Sequence, residues 1–311
     1  MKTDDTFSSD TTPFSEEAEP QISSDETLSS GDSCPDDTLS GIESGLRKRF
    51  RRDLTSKFVK AIANYELVLP GDKVAVCISG GKDSMLMAKL FQEIHRRNKF
   101  PFELVFLCMD PGYSEETLCM IHKNAGLLGI PLTIFSSDIF SAVDHIDQSP
   151  CYLCARMRRG HLSSKAQELG CNKIALGHHF DDVIETTLMS ILYSGQVQTM
   201  MPKLHSTNFS GMELIRPMYL IREDDIRKWS AANDLTFIRC ACHFTASLEN
   251  KATGDTRSKR LEAKALIKEL KKTNDNIEGN LFQSMQNIHL DAVLGYKKDG
   301  KRHFFLDEYD T

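Results

Sequence analysis

The residues Ser79-Gly80-Gly81-Lys82-Asp83-Ser84 follow directly on the apolar run Val74-Ala75-Val76-Cys77-Ile78. An apolar strand that runs through Ser-Gly-Gly into a helix is a phosphate cradle. Glycines let backbone N–H groups approach an anion closely, and the helix N-terminus adds a partial positive charge. Ser79 and Ser84 add hydroxyls, and Lys82 adds a cation suited to phosphoryl oxygens as charge develops on them. The spacing is not that of the G-x-x-x-x-G-K-[ST] loop. A bare Gly-Gly would read as an ordinary turn. The whole hexapeptide, set between strand and helix, points to nucleotide phosphates.

A second group is built on sulfur. Cys151 and Cys154 follow Ser149-Pro150 and open a helical stretch. Two thiols three residues apart at a helix start can hold one metal. The helix dipole and Arg156, Arg158 and Arg159 would lower their pKa values. Cys240 and Cys242 form another pair about ninety residues later. Four thiolates make a zinc site, and three can hold an iron–sulfur cluster with one iron left open. Cys77, Cys108, Cys119 and Cys171 lie in or beside apolar stretches and are expected to be buried small hydrophobes. Cys34 has no assignment.

The third group is Gly177-His178-His179-Phe180-Asp181-Asp182. His178 and Asp182 are four apart, so on a helix they would share a face. Carboxylates here, with Asp83, could hold Mg²⁺ on a leaving pyrophosphate. Helix capping by Asp181 or Asp182 is an equally good reading of the segment alone.

These groups need a scaffold. Strand candidates are 73–78, 103–109, 132–136 and 173–177. Helical stretches lie at about 83–97, 114–128, 152–169 and 180–193. Such alternation predicts an α/β fold, a parallel sheet with helices on both faces. Ligands in such sheets sit at the carboxyl ends of the strands. The phosphate loop, Asp110 and Gly177-His178 all fall at such ends. Further helices are expected at 223–233, around the single Trp229, and at 257–272, which is amphipathic and rich in Lys and Arg.

Length and composition are those of a globular protein with a real core. No apolar run approaches the ~20 residues of a membrane span. The N-terminal residues are acidic and lack an apolar signal segment, and nine cysteines fit a reducing compartment, so the protein is expected to be cytoplasmic. Residues 1–45 hold twelve acidic residues against Lys2 alone, a net −11, so the chain's −6 leaves +5 for residues 46–311. Residues 1–45 are therefore expected to be a disordered acidic Ser/Thr-rich tail. A basic helix is expected over 46–70, and its Arg47, Arg49, Arg51 and Arg52 are candidate RNA contacts, as are Arg156, Arg158 and Arg159.

With these residues assembled, the chain resembles the TtcA family of PP-loop enzymes, which make 2-thiocytidine in tRNA. The resemblance rests on Ser79–Ser84, on Cys151-x-x-Cys154 followed by Ala155-Arg156-Met157-Arg158-Arg159-Gly160, and on Ala175–Asp182. Met201-Pro202-Lys203-Leu204, Ile215-Arg216-Pro217 and a late cysteine add to it. It covers roughly residues 46–290. It implies an adenine nucleotide alpha hydrolase-like, Rossmann-like PP-loop ATPase domain over 71–245, with a helical, basic extension over 246–311.

The resemblance also implies a mechanism. ATP would bind Ser79, Gly80, Gly81, Lys82, Asp83, Ser84, Asp110, Gly177, His178 and Asp182, with Mg²⁺ at Asp83 and Asp182. The C2 oxygen of a cytidine would attack the α-phosphate, and sulfur would then replace the adenylated oxygen. Lys82, Asp83, Cys151 and Cys154 would be the catalytic residues. A [4Fe–4S] cluster would be held by Cys151, Cys154 and one of Cys240 and Cys242; bacterial members carry Cys-x-x-Cys there, and this chain carries Cys-x-Cys. The implied partners are tRNA, a sulfur donor such as a cysteine desulfurase, and a second copy of the chain. Thiolation of another base, as in 2-thiouridine enzymes, is the nearest alternative, but the terminal CxxC modules usual there are missing. A non-catalytic RNA-binding or redox protein with structural zinc is the alternative of a different class, and the intact phosphate loop counts against it.

Overall fold

A computed structural model of the chain describes residues 35–137, 150–238, 256–307 and 309, with side chains over 38–137, 156–238, 259–307 and 309. Cys240 and Cys242 lie outside the described residues, as do residues 1–34.

The expected start of order near Leu46 is corrected. Helix α1 (Pro35–Arg47) begins eleven residues earlier. Ile42 and Leu46, four apart, are fully buried on it, and Leu39 extends the same stripe. Glu43 of α1 bonds the buried Lys89 at 2.9 Å, and Arg47 bonds Glu93 at 3.1 Å. The sequence signal is weak because Ser40-Gly41 and Glu43-Ser44-Gly45 separate the three apolar residues. The basic stretch after Leu46 is also not one continuous helix. A single π-turn (Arg51–Thr55) separates α1 from α2 (Ser56–Asn64). Thr55 Oγ1 donates to the Leu46 carbonyl at 2.7 Å and ties the bend.

The sheet begins with β1 (Lys73–Ile78), followed by α3 (Lys82–Arg96), β2 (Glu103–Asp110), α4 (Glu115–Leu127) and β3 (Leu132–Ser136). Then come α5 (Pro150–Glu168), β4 (Lys173–Ala175) and α6 (Phe180–Ser194). The antiparallel pair β5 (Lys203–His205) and β6 (Glu213–Ile215) closes one edge. The strand order is β3-β2-β1-β4-β6-β5, and every pairing except β5·β6 is parallel. The chain steps outward from β1 to β3, then returns to the other side of β1 as β4. That reversal opens a crevice between the carboxyl ends of β1 and β4.

Helices cover both faces, as the alternation predicts. Val74, Val76 and Ile78 of β1 enter one core with Met85, Leu86 and Phe91 of α3. Ala75 and Cys77, between them in sequence, enter the other core with Leu162 and Ala166 of α5. This is the two-residue period of a strand buried on both faces. Burial of Cys77, Cys108 and Cys171 follows the expectation, and burial pushes the Cys77 and Cys108 thiols up to about 12. Cys119 does not follow it and is exposed. On α4 the buried residues are Ile121, Asn124 and Ala125, and Cys119 sits two residues, or about 200°, round the helix from Ile121.

Helix α7 (Glu223–Ala232) packs Trp229 into the first core. Beyond residue 255 come α8 (Thr256–Lys271), α9 (Ile277–Ser284) and a two-stranded hairpin, β7 (Gly295–Lys298) and β8 (Lys301–Phe304). The hairpin adds a β element where a helical extension is expected.

Candidate active site

The phosphate loop is shaped by its own serines. The Ser79 N–H donates to Ser84 Oγ at 3.1 Å, and Ser84 Oγ donates to the Gly81 carbonyl at 2.9 Å. Gly80 takes φ +80°, and a Cβ there would lie 2.6 Å from side-chain atoms of both Ile121 and Ile238. Glycine is thus required by backbone conformation and by space. Gly81 caps α3 with no side-chain acceptor, so the first N–H groups of α3 keep their capacity for a ligand anion.

Gly177 brings the second loop in. A Cβ at Gly177 would sit 3.3 Å from Asp83 C and from Ser84 N. The loop after β4 therefore lies on the first turn of α3. A cavity of about 490 Å³ opens between them, lined by Ser79, Asp83, Ser84, Tyr113, Gly177, His178 and Asp182. Arg158 and Arg159 of α5 line the same cavity. A volume in this range suits a mononucleotide.

Several expected site residues are placed differently. His178 is not on the helix with Asp182, because α6 starts at Phe180 with His179 as its N-cap. Both still line the cavity. Burial pushes His178 down to about 4, so the ring is neutral at pH 7. Asp182 does act as a cap: its Oδ2 accepts the His179 N–H at 3.0 Å. Burial pushes the Asp182 carboxyl up, but the His179 and His178 rings, that N–H and Arg260 overcome it and hold the group below its ordinary value.

Asp83 and Asp182 flank one imidazole. His179 Nε2 lies 4.0 Å from Asp83 Oδ1 and 3.5 Å from Asp182 Oδ2. Among the described residues no group of three or more His, Cys, Asp and Glu side chains is placed to hold a metal. Two carboxylates with substrate phosphates are the usual Mg²⁺ donor set, so the pair fits such an ion. Asp110 lies at the expected sheet edge, but its Oδ1 accepts from the N–H groups of Gly112 at 2.9 Å and Tyr113 at 2.7 Å. It shapes the turn that presents Tyr113 to the cavity.

Lys82 does not line the cavity. Its Nζ lies 3.0 Å from Asp83 Oδ1 and 3.3 Å from Glu223 Oε1. Glu223 in turn accepts from Lys264 Nζ at 2.6 Å. Burial works to raise Glu223, but the Lys264 hydrogen bond and the charges of Lys82, Lys264 and Arg227 hold it at about 2. Arg260 Nη1 lies 3.3 Å from Asp182 Oδ1, and Arg260 Nε lies 3.7 Å from the buried Glu185. Sequence reasoning missed Glu223, Glu185, Arg260 and Lys264. Helical periodicity places the last two on a charged face but cannot name their partners.

The candidate RNA contacts divide. Arg47 pairs with Glu43 and Glu93 inside the protein. Arg49, Arg51 and Arg52 are exposed, with Arg49 over the Phe50 ring at 5.1 Å and Arg52 paired to Asp53. Arg156 is exposed, while Arg158 and Arg159 line the cavity beside the phosphate loop. Arg216 is buried and donates to the Met201 carbonyl.

The backbones of Cys151 and Cys154 lie in the first turn of α5, one helical turn apart on one face. Two thiols so spaced are a fit donor pair for a metal or cluster.

A family match to the PP-loop domain spans residues 50–243. The chain is 34% identical over 267 residues to a tRNA-cytidine(32) 2-sulfurtransferase of Polaromonas naphthalenivorans, covering 84% of this chain and 78% of that one. It is 34% identical over 247 residues to the protein of the same name from Burkholderia multivorans, covering 78% and 70%. Among solved structures, the U34-tRNA thiolase NcsA from Methanococcus maripaludis with its [4Fe–4S] cluster has the same fold. The TM-score is 0.60 at 21% identity, over 77% of this chain and 80% of that one. Among the described residues no helix is long and apolar enough to cross a membrane. With the PP-loop match over residues 50–243 and 34% identity across most of its length, the chain belongs to the PP-loop domain family and, within it, to that of the tRNA-cytidine(32) 2-sulfurtransferases.

Proposed function

We propose that this protein is an ATP-dependent sulfurtransferase that converts cytidine 32 of tRNA to 2-thiocytidine. The observation that carries the reading is the course of α5. Cys151 and Cys154 head this helix, and Arg158, one turn beyond Cys154, lines the cavity of the phosphate loop. Activation of the base and delivery of sulfur can therefore meet at one place.

ATP binds with its phosphates on the N–H groups of the Ser79–Ser84 loop. Asp83 and Asp182 would hold Mg²⁺, which would supply positive charge to the phosphates. Lys82, paired with Asp83 and Glu223 beside the cavity, fixes the Asp83 carboxylate. The C2 oxygen of the cytidine attacks the α-phosphate, forming a C2–O–P link as the bond to pyrophosphate breaks. Sulfide-level sulfur then bonds to C2, and AMP leaves with the oxygen. A persulfide from a donor such as a cysteine desulfurase reaches that level by taking two electrons from a thiol reductant, which releases the donor thiolate. Arg158 and Arg159 offset the phosphate charge at the cavity wall. Neutral His178 is free to hydrogen-bond the base or nucleotide without adding charge.

Cys151 and Cys154, with Cys240 or Cys242, would hold the [4Fe–4S] cluster. When bound, such a cluster supplies an iron with an open position for sulfur. Mass spectrometry of tRNA nucleosides from cells lacking the protein tests the reading. The expected result is loss of 2-thiocytidine, restored by the wild-type chain but not by Cys151→Ser. Unchanged 2-thiocytidine overturns it, and loss of 2-thiouridine instead reassigns the base.

A further inference from the structure

The hairpin lies outside the residues matched by the PP-loop domain, and nothing in the site uses it. Its turn is Lys298-Asp299-Gly300-Lys301, with φ +51° at Asp299 and +76° at Gly300. Two adjacent left-handed residues make the tight turn that suits strand twist. The register pairs Gly295 with Phe304, Tyr296 with His303, Lys297 with Arg302 and Lys298 with Lys301. Residues paired across two strands share a face. One face therefore carries Phe304 and the Lys297/Arg302 pair. The other carries Lys298/Lys301 and the Tyr296–His303 stack, whose rings lie 4.7 Å apart at 7°.

Two features make this element incomplete alone. Its strands are exposed except for the half-buried Tyr296 and His303, so among the described residues the hairpin has no core beneath it. A two-stranded hairpin without a packed face is marginal in water. Both cation pairs also set like charges directly opposite each other, which is destabilising. Among the described residues none of Lys297, Lys298, Lys301 and Arg302 forms an ion pair, although carboxylates are plentiful elsewhere on the surface.

We infer that the β7–β8 hairpin is an RNA-docking arm, in which Lys297, Lys298, Lys301 and Arg302 bind phosphates and the exposed Phe304 ring stacks on an unpaired base. A polyanion removes the repulsion that the two cation pairs create. Cations interleaved with an exposed aromatic match single-stranded or looped RNA, whose bases can be stacked while the backbone is neutralised. The Tyr296–His303 stack holds the strands in register, which keeps a cation pair on each face of the arm. The inference rests on the reading of tRNA as substrate, and it places a contact well beyond the catalytic domain in sequence.

The test uses the full chain and an unmodified tRNA transcript, with binding followed by fluorescence anisotropy across a salt series. The variant Lys297→Ala/Lys298→Ala/Lys301→Ala/Arg302→Ala should bind about tenfold more weakly near 0.1 M salt. The slope of log affinity against log salt should become shallower by about 3, because up to four phosphate contacts are lost. ATP binding should match the wild type, which shows that the body is folded. Phe304→Ala should weaken binding with no change of slope, since stacking releases no counterions. Wild-type affinity and slope in the fourfold variant would overturn the arm while leaving the proposed thiolation standing. A wild-type chain that ignores tRNA but binds phosphatidylserine vesicles through these residues would assign the hairpin to a membrane surface and also overturn it. Failure of the thiolation reading is registered separately, by the nucleoside analysis.

Discussion

Arg260 of α8 sets its Nη1 3.3 Å from Oδ1 of Asp182, at the start of α6, while Oδ2 of the same carboxylate accepts the His179 N–H. Both oxygens are therefore held, and the carboxylate lines the cavity beside the phosphate loop in one orientation. The helix that holds it follows the segment carrying Cys240 and Cys242 in sequence.

Removing Arg260 should therefore act on activity more than on stability. The Arg260 side chain is 42% exposed, so its ion pairs contribute no more than about 1 kcal/mol to folding. For Arg260→Ala we expect kcat/KM for ATP-dependent thiolation to fall about tenfold, or about 1.4 kcal/mol of transition-state stabilisation. The unfolding midpoint should move by only a few degrees. Unchanged kcat/KM would show that the Asp182 carboxylate needs no such support.

Gly80→Ala should damage the phosphate loop directly. The new methyl group would press on Ile121 and Ile238, and the left-handed backbone costs an L-residue about 1–2 kcal/mol more. Titration calorimetry should find ATP binding lost or at least about tenfold weaker, by the same measure of strain. Wild-type ATP affinity would mean that the loop adopts another conformation when ligand binds.

Acid stability should report the Lys82–Glu223–Lys264 chain. Glu223 sits at about 2 in the fold against an ordinary 4.5. A depressed carboxylate contributes stability that is present above pH 4.5 and lost as the pH falls towards 2. The contribution is on the order of 2 kcal/mol, since the side chain is largely buried. Denaturant unfolding between pH 4.5 and 2 should show a steeper loss in the wild type than in Glu223→Gln. Parallel curves would remove Glu223 as the titrating group.

The cysteines make a prediction that separates the two late residues. In anaerobically purified protein, iron and acid-labile sulfide should fall on Cys151→Ser and on Cys154→Ser. They should also fall on one of Cys240→Ser and Cys242→Ser, but not on both. Stoichiometric zinc without iron in the wild type would turn the site into a structural staple and overturn the cluster assignment.

Much of this protein is written in short-range patterns. The apolar run Val74–Ile78, the Ser-Gly-Gly turn and the CxxC at a helix start are all local. Each is determined by propensity, turn chemistry and side-chain type within a few residues. That is why the strands at 73–78 and 132–136 and the sheet edge holding Gly177 and Asp182 could be read directly. Tertiary structure alone decided the rest. Arg260 meets Asp182 across 78 positions of sequence, and no local pattern names that partner. Ile42 and Leu46 of α1 become core residues only because α3 and α4 supply the surface that buries them. His178 and Asp182 reach one cavity not along a shared helix face, but because Gly177 lets a loop lie against the first turn of α3. Packing between distant segments chose these pairings, and a sequence records only the residue types that make them possible.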